Sequence, residues 1–549
     1  MSSVTLALIA VIFGISISVA VRLFVRSRGE DPARRLAYIV LPIAAGVTLV
    51  CVARSALYYS VFPSWAAARL AVAYWVRQGH PLYYDQQSGP LLGTNYSPLY
   101  FLYFLPATFL PGPTMALIVA SLMGAAAALI PASWVHTQLP LSVPDRNFWK
   151  VAGIVTFSVI AINLFPITYA IFTVRGDALV LGLLAISAGV IYRSQKPSAA
   201  ALWVAAACLV LAEWSKQTAA PAFLAIPLFM LIADGLIETL WFLLRLTLLV
   251  LGTAAIALLV FPFRALVFNT IEFPAHHPWQ YVSCFQEGLA CRTAETASDR
   301  IVTAFWMTQH YVSEHLALLS ALLIVLGLIA IIAPRSGLRA WMNEHRWMIF
   351  LFIAVFMLPL SVANRIKTGG EDSAMALTGY FLLLSITLGL VKLATSWRQL
   401  SGVVVVISCA LTITYMSQST SAIESLPRIA RHIGNNPQAV AVKYMEQHPN
   451  QVYFPWNPLA SILTEHAAYH FDYFVDERKR AGFGLSDSHY LADIPKQFTM
   501  IAYPPPFGDA QQRAALNYLP NFNHEVRVPE LDGWTVLTSG QNTSLTSAK

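Results

Sequence analysis

The chain has 549 residues, of which 57% are hydrophobic and only 11% charged. Soluble domains carry roughly a quarter charged residues, so this composition excludes an ordinary soluble protein and implies an integral membrane protein. The formal charge of +7 does not imply nucleic acid, because many basic residues stand in short loops between apolar runs, where they set orientation.

Twelve apolar runs approach the length that crosses a bilayer, about 17 to 25 residues. They are 4–25, 36–57, 114–135, 151–172, 178–192, 199–214, 218–233, 240–261, 316–333, 347–363, 374–391 and 403–416. The first ends in arginine rather than in a small-residue cleavage site, so no cleavable signal peptide is expected.

Between the second and third runs lies a polar interruption, 58–113. It opens with WAAARLAVAYWVRQ (65–78), in which Arg69 and Arg77 fall on one helical face and Trp65, Leu70, Val72 and Trp75 supply apolar surface. That pattern reads as a helix lying in a membrane interface. A turn-rich tyrosine segment (79–94) follows, with Asp85 as its acid. The run 98–110, bracketed by prolines, is too short to span and reads as a re-entrant or membrane-surface helix.

Arg22, Arg26, Arg28, Arg34 and Arg35 crowd the first connection. Arg146 and Lys150, Arg193 and Lys196, Arg335, Arg339 and Arg346, and Lys392 and Arg398 fall in later connections of the same parity. The positive-inside rule makes these loops cytoplasmic and sends 58–113, the loop 264–315 and everything after residue 417 to the other side. The domain expectation is therefore a membrane domain over 1–419 with a small soluble α/β domain over 420–549. In that last part apolar runs shorten to strand length, as in QVYFPW, FTMIAYP and WTVL. The final residues, SGQNTSLTSAK, read as a frayed tail.

Cys51, Cys208 and Cys409 lie in apolar runs and read as small core residues. Cys284 and Cys291 share the long outer loop, where an oxidising compartment permits a disulfide. Glu272, His276 and His277 are the residues that could ligate a divalent ion, and no Cys/His spacing resembles a zinc site.

Ionisable groups beside membrane spans are costly to bury and are site candidates by default. TVRGDAL places Arg175 and Asp177 at the outer end of one helix pair, and EWSKQT places Glu213 and Lys216 at the next. NRIKTGGEDSAM places Arg365, Lys367, Glu371 and Asp372 in one tight turn. One such cluster would be a cap that snorkels to water. Three on one face point to a shared polar site.

The motifs G-x-P-L-Y (79–83), Y-x-P-L-Y (96–100), R-x-D (175–177), K-Q-T (216–218) and K-x-G-G-E-D (367–372), in this order, resemble the GT-C superfamily of membrane glycosyltransferases. That class includes protein O-mannosyltransferases and the lipid A aminoarabinose transferase. The resemblance spans roughly residues 58–391. It implies an all-α polytopic fold in a bacterial inner membrane and an active site on the outer face. It also implies hexosyl or pentosyl transfer from a polyprenyl-phosphate-linked donor to a glycan, lipid or protein acceptor, with inversion and no obligate cofactor.

Such enzymes carry an acid at the start of the first outer loop, where this chain reads SVFPSWAAAR, with Ser64 about where the carboxylate is expected. Either Asp85 or Asp177 then serves as base, or transfer activity has been lost. An inverting transfer needs a carboxylate to take the acceptor's proton and cations to hold the leaving phosphate. Arg69, Arg175, Lys216, Arg365 and Lys367 are the donor-phosphate candidates, with Glu371 and Asp372 beside them and Tyr83 and Tyr96 shaping the sugar pocket. A twelve-helix transporter or lipid flippase is the alternative, against which stand the missing internal repeat and the soluble domain after the last span.

Overall fold

A helix leaves its first N–H groups without internal partners, and several of these helices begin where a side chain accepts them. Asp31 accepts from Ala33 at the head of Pro32–Val61, and Ser198 accepts from Ala201 at the head of Ala199–Ser215. Thr296 and Asp299 form a reciprocal capping box that opens Ala297–Glu314. The computed structural model describes residues 3–139, 143, 145–286, 291–332, 337–505 and 513–539. Arg335 and the tail after residue 539 lie outside the described residues.

Among the described residues, seven helices are long and apolar enough to cross a membrane, and nine are if each bent pair counts as one span. The protein is an integral membrane protein on this count. Three further apolar runs of the expected twelve form the shorter helices Asp177–Arg193, Ala199–Ser215 and Gln217–Ala233. The run expected as one span over 151–172 is two helices, Arg146–Asn163 and Phe165–Phe172, bent by 86°. Leu164 is extended at the break and Pro166 follows, and a proline cannot continue a helical hydrogen-bond ladder. Likewise Ala297–Glu314 meets Leu316–Ile331 at 80°, so the loop 264–315 carries a helix running across its neighbouring span.

Ala376–Ser396 is the central helix, with nearly every side chain buried. Its Tyr380 hydroxyl donates to the Ala128 carbonyl at 2.7 Å, tying it to Pro113–Thr137. Leu236–Val260 lies at the edge and turns Leu251, Leu259 and Val260 outward, as a lipid-facing helix must. Helix Asp177–Arg193 runs from the charged end of the bundle to Arg193 at the other. At that far end Arg346 binds the buried Asp234 at 2.6 Å.

The amphipathic run does form a helix, Ser64–Arg77, but its surroundings differ from the expectation. Ala66, Ala67, Ala71 and Ala73 are wholly buried, because alanines around the helix let neighbours approach from more than one side. Trp65 joins an edge-to-face cluster with Trp456, Phe471 and Tyr473. The helix is thus an internal plate between the bundle and the C-terminal domain. The short apolar run becomes a single turn, Leu99–Leu102, followed by a 3₁₀ turn, Leu105–Phe109.

The C-terminal domain holds a four-stranded sheet: β1 Val452–Tyr453, β2 Met500–Tyr503, β3 Phe522–Val526 and β4 Thr535–Ser539. The order is β1-β2-β4-β3, with β1 and β2 parallel and the other pairs antiparallel. The helix Thr420–His432 still belongs to the bundle side, where Arg54 donates to Ser425 at 3.3 Å. Cys284 and Cys291 form a disulfide.

Candidate functional site

The three charged clusters meet at one end of the bundle around a cavity of about 370 Å³. Arg175 and Asp177 enter it from the R-x-D hinge, Glu213 and Lys216 from the next turn, and Lys367 and Glu371 from the glycine turn. Tyr96 reaches it from the first loop.

The hinge owes its shape to the two residues that flank Arg175. Val174 adopts φ of 52°, a left-handed conformation that is a genuine outlier for a β-branched side chain. Such a residue costs about 1–3 kcal/mol and persists only where its surroundings fix it, and Val174 is wholly buried. Two residues on, a Cβ at Gly176 would run into the Tyr100 ring. Tyr100 in turn stacks on Tyr96 at 4.2 Å between centroids. The missing side chain therefore lets the R-x-D hinge and the Y-x-P-L-Y segment pack as one unit.

Lys216 Nζ donates to Asp177 Oδ1 at 2.7 Å, with both side chains buried. Asp177 Oδ2 is also buried, and among the described residues it has no hydrogen-bond partner. Arg175 donates through Nε to Thr173 Oγ1 at 2.9 Å and through a terminal nitrogen to Ser373 Oγ at 2.7 Å. Its guanidinium also forms an ion pair with Glu371, and Arg69 lies 3.9 Å from the same carboxylate. Lys367 differs: its ammonium lies 3.4 Å from the Pro274 carbonyl, and no carboxylate among the described residues pairs with it. Burial pushes that ammonium below the usual lysine range, and Arg300 pushes the same way.

The C-terminal domain closes the cavity with the helix Asp472–Arg480, which brings in Glu477. Burial, helped by Asp476, pushes the Glu477 carboxyl up to about 8. His277 Nε2 lies 3.6 Å away, and burial together with Lys367 pushes its imidazole down to about 4. At neutral pH this corner thus holds a neutral imidazole and a largely neutral carboxyl.

Of the residues singled out from the sequence, Tyr96, Arg175, Asp177, Lys216, Lys367 and Glu371 line the cavity together. Arg69 lines a smaller adjoining pocket with Glu371 and Glu477. Tyr83 is buried one layer back, where its hydroxyl donates to the Tyr96 carbonyl at 2.7 Å. Arg365 and Asp372 bind each other at 2.8 Å and brace the glycine turn without lining the cavity. Asp85 sits exposed in a turn away from the cavity. Sequence reasoning missed Asn95, Ser373 and Glu477, and it weighed His277 only as a metal ligand. For Glu477 the only signal was the charged run FDYFVDERKR, which reads equally well as the solvated face of a helix.

Among the described residues no group of three or more His, Cys, Asp or Glu is placed to hold a metal ion. His276 is exposed and packs edge-on against Phe483, while its neighbour His277 turns to Glu477.

No protein-family model matches the chain, and no curated protein matches it. The chain is similar to a solved structure, ArnT from Cupriavidus metallidurans bound to undecaprenyl phosphate, at a TM-score of 0.53 and 11% identity. The match covers 92% of this chain and 98% of that one. The same enzyme in the apo state aligns with a TM-score of 0.43 at 12% identity, over 90% and 97% of the two chains. Over nearly its whole length, then, the chain shares the fold of that ArnT structure.

Proposed function

We propose that this protein is a membrane glycosyltransferase that moves a sugar from a polyprenyl-phosphate carrier to an acceptor at the non-cytoplasmic face, with inversion at the sugar carbon. The observation that carries this reading is the cavity itself. It joins a carboxylate that keeps one oxygen free, Asp177, to a lysine without a carboxylate partner, Lys367, at one end of an apolar bundle. The ArnT structure is bound to undecaprenyl phosphate, which makes a lipid-phosphate donor the natural occupant of a comparable cavity here.

In this reaction the acceptor oxygen bonds to the sugar carbon while the bond from that carbon to the phosphate oxygen breaks. Asp177 Oδ2 takes the acceptor's proton, and Lys216 holds the other carboxylate oxygen, leaving Oδ2 unpartnered in a side chain that lines the cavity. Lys367 offsets the charge that grows on the leaving phosphate, and Arg175 supplies positive potential through its fixed network. Tyr96 flanks the sugar. The basic loops at the far end of the bundle support the orientation, since positive loops stay cytoplasmic.

Comparison of envelope glycans and lipids from a deletion strain and its parent, by mass spectrometry, tests this reading. The expected result is one sugar missing from one acceptor, with the unglycosylated acceptor accumulating. Unchanged glycans together with a missing or mislocalised lipid would favour the flippase instead.

A further inference from the structure

Glu477 is not explained by the chemistry above. It belongs to the C-terminal domain, is 6% exposed, and lines both the main cavity and the pocket beside it. No hydrogen bond to its carboxyl is found among the described residues, and the His277 ring lies 3.6 Å from it. The opposing turn leaves room for it, because Gly369 has φ of 80° and a Cβ there would run into Glu477 Oε1. Lys367 belongs to the same corner, close enough to lower the proton affinity of His277.

We propose that the C-terminal domain completes the donor site: the Glu477 carboxyl, together with Lys367, seats the phosphate of a lipid-linked sugar. This assignment rests on the transferase reading given above. A buried carboxyl beside an anion serves only when it is protonated, as a hydrogen-bond donor. The surroundings keep it so at neutral pH. Burial and Asp476 raise the carboxyl to about 8, and Arg69 opposes them. Facing it are Tyr96 from the first loop, His277 from the outer loop, Glu371 from the glycine turn and Tyr473 from its own helix. His277 is held neutral at neutral pH; the cations lining the same pockets are Arg69, Arg175, Lys216 and Lys367, of which Arg175 is paired with Glu371 and Lys216 with Asp177.

The sign follows from the raised value. Below about pH 8 the carboxyl donates to the phosphate. Above it, the carboxylate repels the phosphate, and binding then requires uptake of a proton. Affinity should fall about tenfold for each pH unit above that point.

The test uses the full-length protein in nanodiscs with undecaprenyl phosphate as the probe, its binding measured from about pH 6.5 to 9.5. Wild type should weaken at the alkaline end. Glu477→Gln, which donates a hydrogen bond at every pH, should bind about as well as wild type does at low pH and keep only the pH dependence of the phosphate itself. Subtracting its profile removes the titration of the phosphate itself. Below about pH 8 Glu477→Ala should bind about 10- to 100-fold more weakly than wild type, as expected for a lost hydrogen bond to a charged group, and it should lack the wild-type fall above that point. A Glu477→Gln profile that falls like wild type overturns the proposal even if the alanine variant fails to fold. If inorganic phosphate alone reproduces the pH-dependent binding, the seat is one for free phosphate and the lipid-linked assignment is overturned. Wild-type protein that binds no undecaprenyl phosphate at any pH sinks the transferase reading itself, a result distinct from an unresponsive Glu477.

Discussion

Lys216 Nζ lies 2.7 Å from Asp177 Oδ1, joining the C-terminal end of one helix to the N-terminal end of another. The pair does two things. It locks the two helices at the head of the bundle, and it leaves Asp177 Oδ2 as the free oxygen. Structural and chemical roles therefore coincide in Asp177, and a single substitution cannot separate them.

Removing one member of a buried ion pair typically costs about 3–5 kcal/mol, because the partner charge is stranded. Asp177→Asn should lower the melting temperature in detergent and reduce transfer by about 10²- to 10⁴-fold. The double variant Asp177→Asn with Lys216→Met should recover most of the stability while remaining inactive. Recovery of activity with stability would make Asp177 a purely structural residue.

Asp85→Asn should leave transfer within about twofold of wild type, because Asp85 is exposed and outside the cavity. A loss comparable to that of a catalytic base would mean that the first loop moves into the site when substrate binds.

Gly369→Ala should weaken donor binding by about tenfold or more while the rest of the bundle stays folded. A left-handed φ strains any L side chain, and the new methyl would displace Glu477 Oε1 from its corner. Isothermal titration with undecaprenyl phosphate reads the change, and unaltered affinity would show that this corner does not touch the donor.

Much of this arrangement was legible in the sequence. Short motifs flanking the spans placed Arg175, Asp177, Lys216, Lys367 and Glu371 at corresponding helix ends, and helix ends on one side of a bundle must meet. Glu477 was not legible, because it arrives from a separate domain more than a hundred residues beyond the glycine turn, and no local pattern encodes a contact between domains. The break at Leu164 was hidden for another reason: Pro166 lies inside a run whose hydropathy stays continuous. Burial of the Arg69 helix was also hidden, since its two arginines and tryptophans look alike at a lipid interface and at a domain junction.

Twelve crossings require the three short helices beside the cavity to span as well, and 17 residues at 1.5 Å each reach only about 26 Å. An impermeant thiol reagent applied to intact cells checks the resulting sidedness. With Cys284 and Cys291 replaced by Ser, both Ser298→Cys and Ser425→Cys should label without lysis. In the unaltered protein those two native thiols should resist alkylation until reduced, since they are joined in the disulfide. Labelling of either introduced cysteine only after lysis would reverse the orientation.

The most direct measurement is transfer by the purified protein. Wild type and Asp177→Asn would be reconstituted into vesicles carrying undecaprenyl-phosphate-linked sugars and extracts of candidate acceptors, and released undecaprenyl phosphate would be followed by mass spectrometry. The expected result is release that requires both an acceptor and the wild-type carboxylate, with the sugar recovered on the acceptor in inverted configuration. Release at equal rates from wild type and Asp177→Asn, or movement of the intact lipid across the bilayer with no bond broken, would contradict a glycosyltransferase built on this cavity.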